Sequence, residues 1–192
     1  GFSGLRDLPN HPKNDTLTNI ENIDFTDLGY AFELIGDGGD NVITAGALDD
    51  LLRGGGRNDT LVGGAGDDTL YGDNGNDRLT GGSGKDVMNG GQGADDFIFA
   101  DGDTGIGQDC DVIVKFRTRS DDIDLRLMDA NTDIDGDQAF SFAGKTASAN
   151  AIWTSKMGKN TIVHGDVDGD GVADFQIQLN GTSKIVAGDF LL

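Results

Sequence analysis

The sequence predicts an all-β chain: a parallel β-roll over residues 36–98, continued by an antiparallel β-sandwich or meander over residues 99–192. Three observations predict it. Residues 36–98 divide without insertion into seven units of nine: GDGGDNVIT, AGALDDLLR, GGGRNDTLV, GGAGDDTLY, GDNGNDRLT, GGSGKDVMN and GGQGADDFI. A side chain of one character returning at a fixed period marks a chain wound into equivalent turns. The glycines, 32 of 192 residues, recur with that period, so they mark turns and not disorder. Past residue 100 the period stops, and short apolar segments separated by turn residues take over.

Residues 1–16 are polar and hold both prolines. They read as a linker or an irregular first turn. Residues 17–35 alternate around Ile20, Ile23 and Phe25, then Phe32, Leu34 and Ile35. Short strands capping the coil fit that pattern, so residues 1–35 form an N-terminal linker and cap. Within each unit the first six residues are turn formers, and the last three make a minimal strand whose central residue points inward. Two units then make one turn. Ile43, Leu61, Leu79 and Phe97 stack up one wall, and Leu52, Leu70 and Met88 up the other.

Seven segments of residues 99–192 read as strands: 111–116, 121–127, 139–142, 151–155, 161–164, 175–179 and 185–187. Turns at Gly144-Lys145, Gly158-Lys159 and residues 169–171 separate several of them, giving an antiparallel meander. A short helical turn fits near residues 127–131.

The sixth residue of each unit is Asn41, Asp50, Asp59, Asp68, Asp77, Asp86 or Asp95. A calcium ion takes six to eight oxygens in a tolerant geometry. Glycines let backbone carbonyls turn inward, and the carboxylate adds charge. The candidate ligand loops are Gly36, Gly39 and Asn41; Asp50; Gly54, Gly55 and Asp59; Gly63, Gly64, Gly66 and Asp68; Gly72, Gly75 and Asp77; Gly81, Gly82, Gly84 and Asp86; and Gly90, Gly91, Gly93 and Asp95. One loop cannot fill the shell, and the loop two units later lies above it. The pairs Asp50/Asp68, Asp68/Asp86, Asp59/Asp77 and Asp77/Asp95 give four sites, with Asn41/Asp59 a weaker fifth, hence about four to five Ca²⁺ ions. Leu48 and Arg57 replace glycine at position four and weaken the sites they line. One inward apolar side chain per nine residues is too thin a core to offset the ordering of the backbone, which makes metal a condition for folding.

A second acidic run, Asp166, Asp168, Asp170 and Asp174, begins like an EF-hand loop, but Ile177 stands where the bidentate glutamate belongs. It is either a further metal loop or an acidic hairpin tip. The run Asp133, Asp135 and Asp137 is weaker still. No catalytic set or cofactor-binding motif emerges. His11 and His164 lie apart, with no HExxH pattern, and Cys110 is flanked by Asp109 and Asp111, which oppose a thiolate.

The chain carries 34 acidic against 14 basic residues, a formal charge of −20. Such a chain repels itself and needs cations. The sign argues against nucleic acid, and against acidic lipids or acidic polysaccharides unless a metal bridges the two. No stretch reaches transmembrane length, so direct membrane insertion is not expected. One cysteine permits no internal disulfide, which leaves metal as the stabiliser in an extracellular setting. There is no N-terminal signal peptide, and a first residue of Gly in place of Met is expected of a piece of a longer protein.

The units fit the nonapeptide pattern GGxGxDxUx of calcium-binding parallel β-helices and resemble the RTX repeats of exported bacterial proteins. Four segments, GADDFIF (93–99), DVIVKF (111–116), DDIDL (121–125) and DGDGVADFQIQL (168–179), together look like the C-terminal domain of serralysin-type metalloproteases. The sequence departs from that family where the family has DF followed by Gly and DxIDLS: here Lys115-Phe116-Arg117 and Leu125-Arg126 stand instead. The tail Asp189, Phe190, Leu191 and Leu192 matches the acidic-then-apolar ending read by a type I (ABC) exporter. The resemblance implies a secreted, extracellular module that folds on Ca²⁺ and has the type I secretion machinery as its partner. It also implies a protease domain that this sequence does not contain. Related domains occur on polysaccharide-active enzymes such as alginate epimerases, so the alternative is a module binding a polysaccharide or a protein. Trp153, Tyr30 and Tyr71 are too scattered to form an obvious aromatic platform. An enzyme in its own right is the third and weakest reading.

Overall fold

The computed structural model describes residues 15–20, 22–24, 31–131, 138–182 and 184–192. Residues 1–14 of the linker expected over residues 1–16, together with Phe25, Tyr30 and the run at 133–137, lie outside them, and residues 15 and 16 open β1. The N-terminal half runs through β1 (Asp15–Ile20), β2 (Asn22–Asp24), β3 (Phe32–Gly36), β4 (Val42–Thr44), β5 (Leu51–Gly56), β6 (Thr60–Ala65), β7 (Thr69–Asn74), β8 (Arg78–Ser83), β9 (Val87–Gln92) and β10 (Asp96–Ala100). Then follow β11 (Asp111–Val114), β12 (Asp122–Leu127), β13 (Ser141–Phe142), β14 (Ala151–Met157), β15 (Asn160–Gly165), β16 (Phe175–Asn180) and β17 (Phe190–Leu191).

The strands alternate between two sheets, and this is the winding the period demands. One sheet has the order β1-β3-β5-β7-β9-β11-β16-β15-β14-β13, the other β17-β12-β10-β8-β6-β4-β2. Neighbours in the repeats are parallel and two units apart: Leu52 pairs with Leu70, Leu70 with Met88, Ile43 with Leu61 and Leu61 with Leu79. Both expected walls are present and fully buried. They extend past the repeats, to Leu34 and Ile113 on one side and Ile123 on the other.

The proportion of strand to turn within a unit is the reverse of that expected. From β5 to β9 each strand is six residues long and runs through the first glycines of the next unit, as in TLYGDN of β7. Only three residues turn. The glycines join the ladder, with Gly55 opposite Asp73 and Gly64 opposite Gly82.

The antiparallel region is present but begins later than the sequence suggests. β11 and β12 remain parallel to their predecessors, with Ile113 opposite Met88 and Ile123 opposite Phe97. β16 and β17 lie parallel on them, and β13 lies parallel on β14. Antiparallel pairing joins β14, β15 and β16. The reason is local: Asp111-Val-Ile113 and Asp121-Asp-Ile123 keep the D-x-apolar ending of a repeat, so the chain still crosses from wall to wall, over longer connections. Residues 185–187 are not a strand but lead into a 3₁₀ turn (Ala187–Asp189) ahead of β17. In place of the helical turn expected near 127–131, β12 runs to Leu127 and ends in a bend closed by Met128 N–H donating to the Leu125 carbonyl. The single-file core of the repeats broadens here into aromatic contacts, Phe97 with Phe116 and Phe140 edge-on to Phe175.

Candidate metal-binding ladder

Each three-residue turn ends on the sixth residue of its unit, and that side chain folds back under the strand to the turn below. Its Oδ1 accepts the backbone N–H of its counterpart 18 residues earlier. Asp68 takes Asp50 N at 2.7 Å, Asp86 takes Asp68 N at 2.8 Å, Asp77 takes Asp59 N at 2.8 Å and Asp95 takes Asp77 N at 3.1 Å. Asp59 takes Asn41 N at 2.7 Å. The pairs expected from the spacing are thus brought together, in two files along opposite edges of the roll.

The second oxygen has a different fate. Among the described residues, Oδ2 of Asp59, Asp68, Asp77, Asp86 and Asp111 is buried and accepts no hydrogen bond. A buried charged oxygen without a donor is costly and calls for a partner. For Asp59, Asp68, Asp77 and Asp86 the glycine that opens the unit leaves the space around it. A Cβ on Gly63 would overlap Asp68 Oδ2 and lie 2.6 Å from the Gly81 carbonyl oxygen; on Gly72 it would overlap Asp77 Oδ2 and lie 2.5 Å from that of Gly90. Glycines two and four turn with positive φ, as at Gly64 (112°), Gly66 (126°), Gly82 (96°) and Gly84 (132°). Arg57 reaches a left-handed conformation, φ 68°, at position four of its unit. Converging carboxylate and carbonyl oxygens form a hard donor set that fits a calcium ion.

Burial, reinforced by neighbouring carboxylates, raises these groups in the metal-free roll: Asp59 to about 6, Asp68, Asp77 and Asp86 to about 7 and Asp111 to about 8. Without a cation these carboxyls hold their protons to higher pH than an exposed aspartate does.

Its ends differ. Asn41 is satisfied by Asp37, which donates its N–H to Oδ1 and accepts from Nδ2. Asp50 Oδ2 accepts Gly46 N at 3.3 Å. At the other end, two carboxylates outside the repeats extend the files: Asp111 Oδ1 takes Asp86 N at 2.8 Å, and Asp121 Oδ1 takes Asp95 N at 3.4 Å. Counting in nines misses both, because 25 and 26 residues separate the partners. Their D-x-apolar endings are the signal that marks them. Arg117 donates to Asp95 and Asp121, a contact with no counterpart in the repeat pattern.

A model of the RTX calcium-binding nonapeptide repeat matches the chain in four overlapping copies, at residues 33–61, 44–79, 62–97 and 71–106. Among solved structures, the AlgE6R3 subunit of the Azotobacter vinelandii mannuronan C5-epimerase is 30% identical, with a TM-score of 0.57 over 76% of this chain and 78% of that one. The chain belongs to the RTX family of calcium-binding nonapeptide-repeat proteins. The AlgE6R2 subunit of the same enzyme, 24% identical with a TM-score of 0.52 over 82% of this chain and 94% of that one, shares the fold. No curated protein matches the chain.

Outside the RTX ladder, the loop between β15 and β16 gathers oxygens of Asp166, Asp168 and Asp174 within 4.8 Å of one another, and Asp170 is not in the group. The buried Asp166 is already served by amides, accepting Gly169 N at 2.6 Å and Gly171 N. His164 stacks flat on Trp153, and its ring nitrogens meet Ser155 Oγ at 2.7 Å and Gln176 Nε2 at 3.2 Å. Burial lowers its pKa, disfavouring the charged ring. Cys110 is buried, and burial followed by Asp111 raises its thiol. The tail is part of the fold: Asp189 is buried and accepts Arg119 N at 2.6 Å and Val186 N at 2.7 Å, and Phe190 and Leu191 pair with Ile123 and Asp124. Leu192 is partly buried against the core.

Proposed function

We propose that this RTX chain is a folding and export module of a secreted bacterial protein. Unfolded where calcium is scarce, it would fold on calcium outside the cell and carry in Asp189, Phe190, Leu191 and Leu192 the signal read by a type I exporter. The observation that carries the reading is the set of five buried Oδ2 atoms without donors. Bound calcium would supply the missing positive charge, one ion for each such oxygen, at extracellular-module affinities of roughly 10⁻⁴–10⁻³ M. Carboxylates, carbonyls and glycine spaces are assembled only by winding, so binding and folding are one event. The docked tail supports the same reading, since an exporter would meet it free only before the roll closes. The segments resembling serralysins suggest a metalloprotease as parent. Circular dichroism tests the proposal: EGTA should abolish the β-sheet signal and millimolar calcium restore it. A chain that keeps its spectrum in EGTA overturns it.

A second reading, binding of an acidic polysaccharide, is favoured by an open groove of about 620 Å³ lined by Lys85, Lys156, His164, Gln176 and Gln178. It places two cations and two amides together on a strongly acidic chain, and the similar subunit comes from an enzyme acting on mannuronan. Titration of the calcium-loaded chain with oligomannuronate, against Lys85→Ala/Lys156→Ala, decides it: heat lost in the variant supports the reading, and no heat from either removes it.

A further inference from the structure

One rung of the ladder already contains a cation. Arg117, in the connection between β11 and β12, brings Nη2 to 3.1 Å from Asp95 Oδ2 and 2.8 Å from Asp121 Oδ1, and the same nitrogen donates to the Gly93 carbonyl. The three oxygens have defined places in the repeat. They are the position-four carbonyl and the position-six carboxylate of one unit, and the carboxylate one turn on. One turn below, those places belong to Gly75, Asp77 and Asp95, where Asp77 Oδ2 has no donor. Asp95 Oδ2 is spared that state by Arg117. The guanidinium is held in position: its own backbone N–H donates to Asp121 Oδ2 at 2.8 Å, and Ser120 Oγ donates to Gly93 O at 2.9 Å. On the other file no such substitution occurs, and Asp111 Oδ2 is left without a donor.

We propose that the Arg117 guanidinium is a built-in substitute for the calcium ion of the last rung, so that the Asp95–Asp121 rung closes without metal. The inference rests on the calcium reading of the ladder. A guanidinium stays charged at any working pH, forks between two carboxylates and cannot be chelated away. One file therefore ends on a rung that needs no calcium, and the other on a rung that does.

The test is a count of bound ions by equilibrium dialysis at saturating calcium, with circular dichroism confirming the fold. Arg117→Ala should bind one more calcium per chain than the native protein. An unchanged count in a folded variant overturns the proposal. Should Arg117→Ala fail to fold, Asp121→Asn decides: it should keep the native count, and the loss of an ion would show that calcium occupied the rung. A native chain that binds no calcium refutes the ladder reading itself, an outcome distinct from either of these.

Discussion

At the scale of the residue, the repeat is a fit between one glycine and one aspartate. The glycine that opens six of the seven units, the second opening on Ala45, reads in the sequence as a turn former, yet it lies in a strand facing inward. Its missing Cβ is the room taken by the carboxylate five positions on. Sequence spacing made the aspartate legible but not this reason for the glycine, because the clash exists only once the turn has folded back. Gly63→Ala should therefore destabilise the calcium-loaded roll by about 1–3 kcal/mol, as over-packing does. Gly38→Ala, where nothing lies within 4 Å of the new methyl, should have little effect. Urea unfolding of both variants in saturating calcium compares them.

At the scale of the element, the period of nine identified all seven stacked wall positions of the repeats, though not the buried Ala45 and Ile98. It missed the pairing sense of β11 and β12, because the regular glycine spacing that announces a crossing is lost there while the D-x-apolar ending survives. The same loss hid Asp111 and Asp121. Arg117 was beyond sequence reasoning, since only the folded connection brings its side chain to Asp95. Each wall is one side chain wide, so a single truncation removes a whole layer. Leu70, buried between Leu52 and Met88, is such a layer. Leu70→Ala should cost about 2–5 kcal/mol with calcium bound, measured by denaturant titration. In a core this narrow few neighbours can move in to fill the gap, which favours the upper part of that range.

For the whole molecule, charge decides when the roll exists. Burial raises the ladder carboxyls of the metal-free roll to about 6–8, above the ordinary 3.8 of an exposed aspartate. A group that holds its proton more tightly when folded stabilises the fold fully below the ordinary value and loses that contribution as pH rises through the raised one. Protons thus act in the same direction as calcium. After calcium is stripped on a chelating resin, the far-ultraviolet β-sheet signal should grow as pH falls from 8 to 5. A flat or falling profile would contradict the buried position of these carboxyls.

The 18-residue register also limits how a chain of this kind can change in length. Wall partners within a sheet, amide-to-carboxylate bonds and glycine-to-carbonyl contacts in the roll join a unit to the second one after it. Adding or deleting two units lengthens or shortens the column and leaves everything beyond it on its own sheet. Adding or deleting one would send all that follows to the opposite sheet. The crossing at residues 101–110 would then begin from the wrong edge, and Arg117 would face the wrong file. Changes of length in this architecture keep register only in pairs, because the nonapeptide visible in the sequence is half of one structural turn.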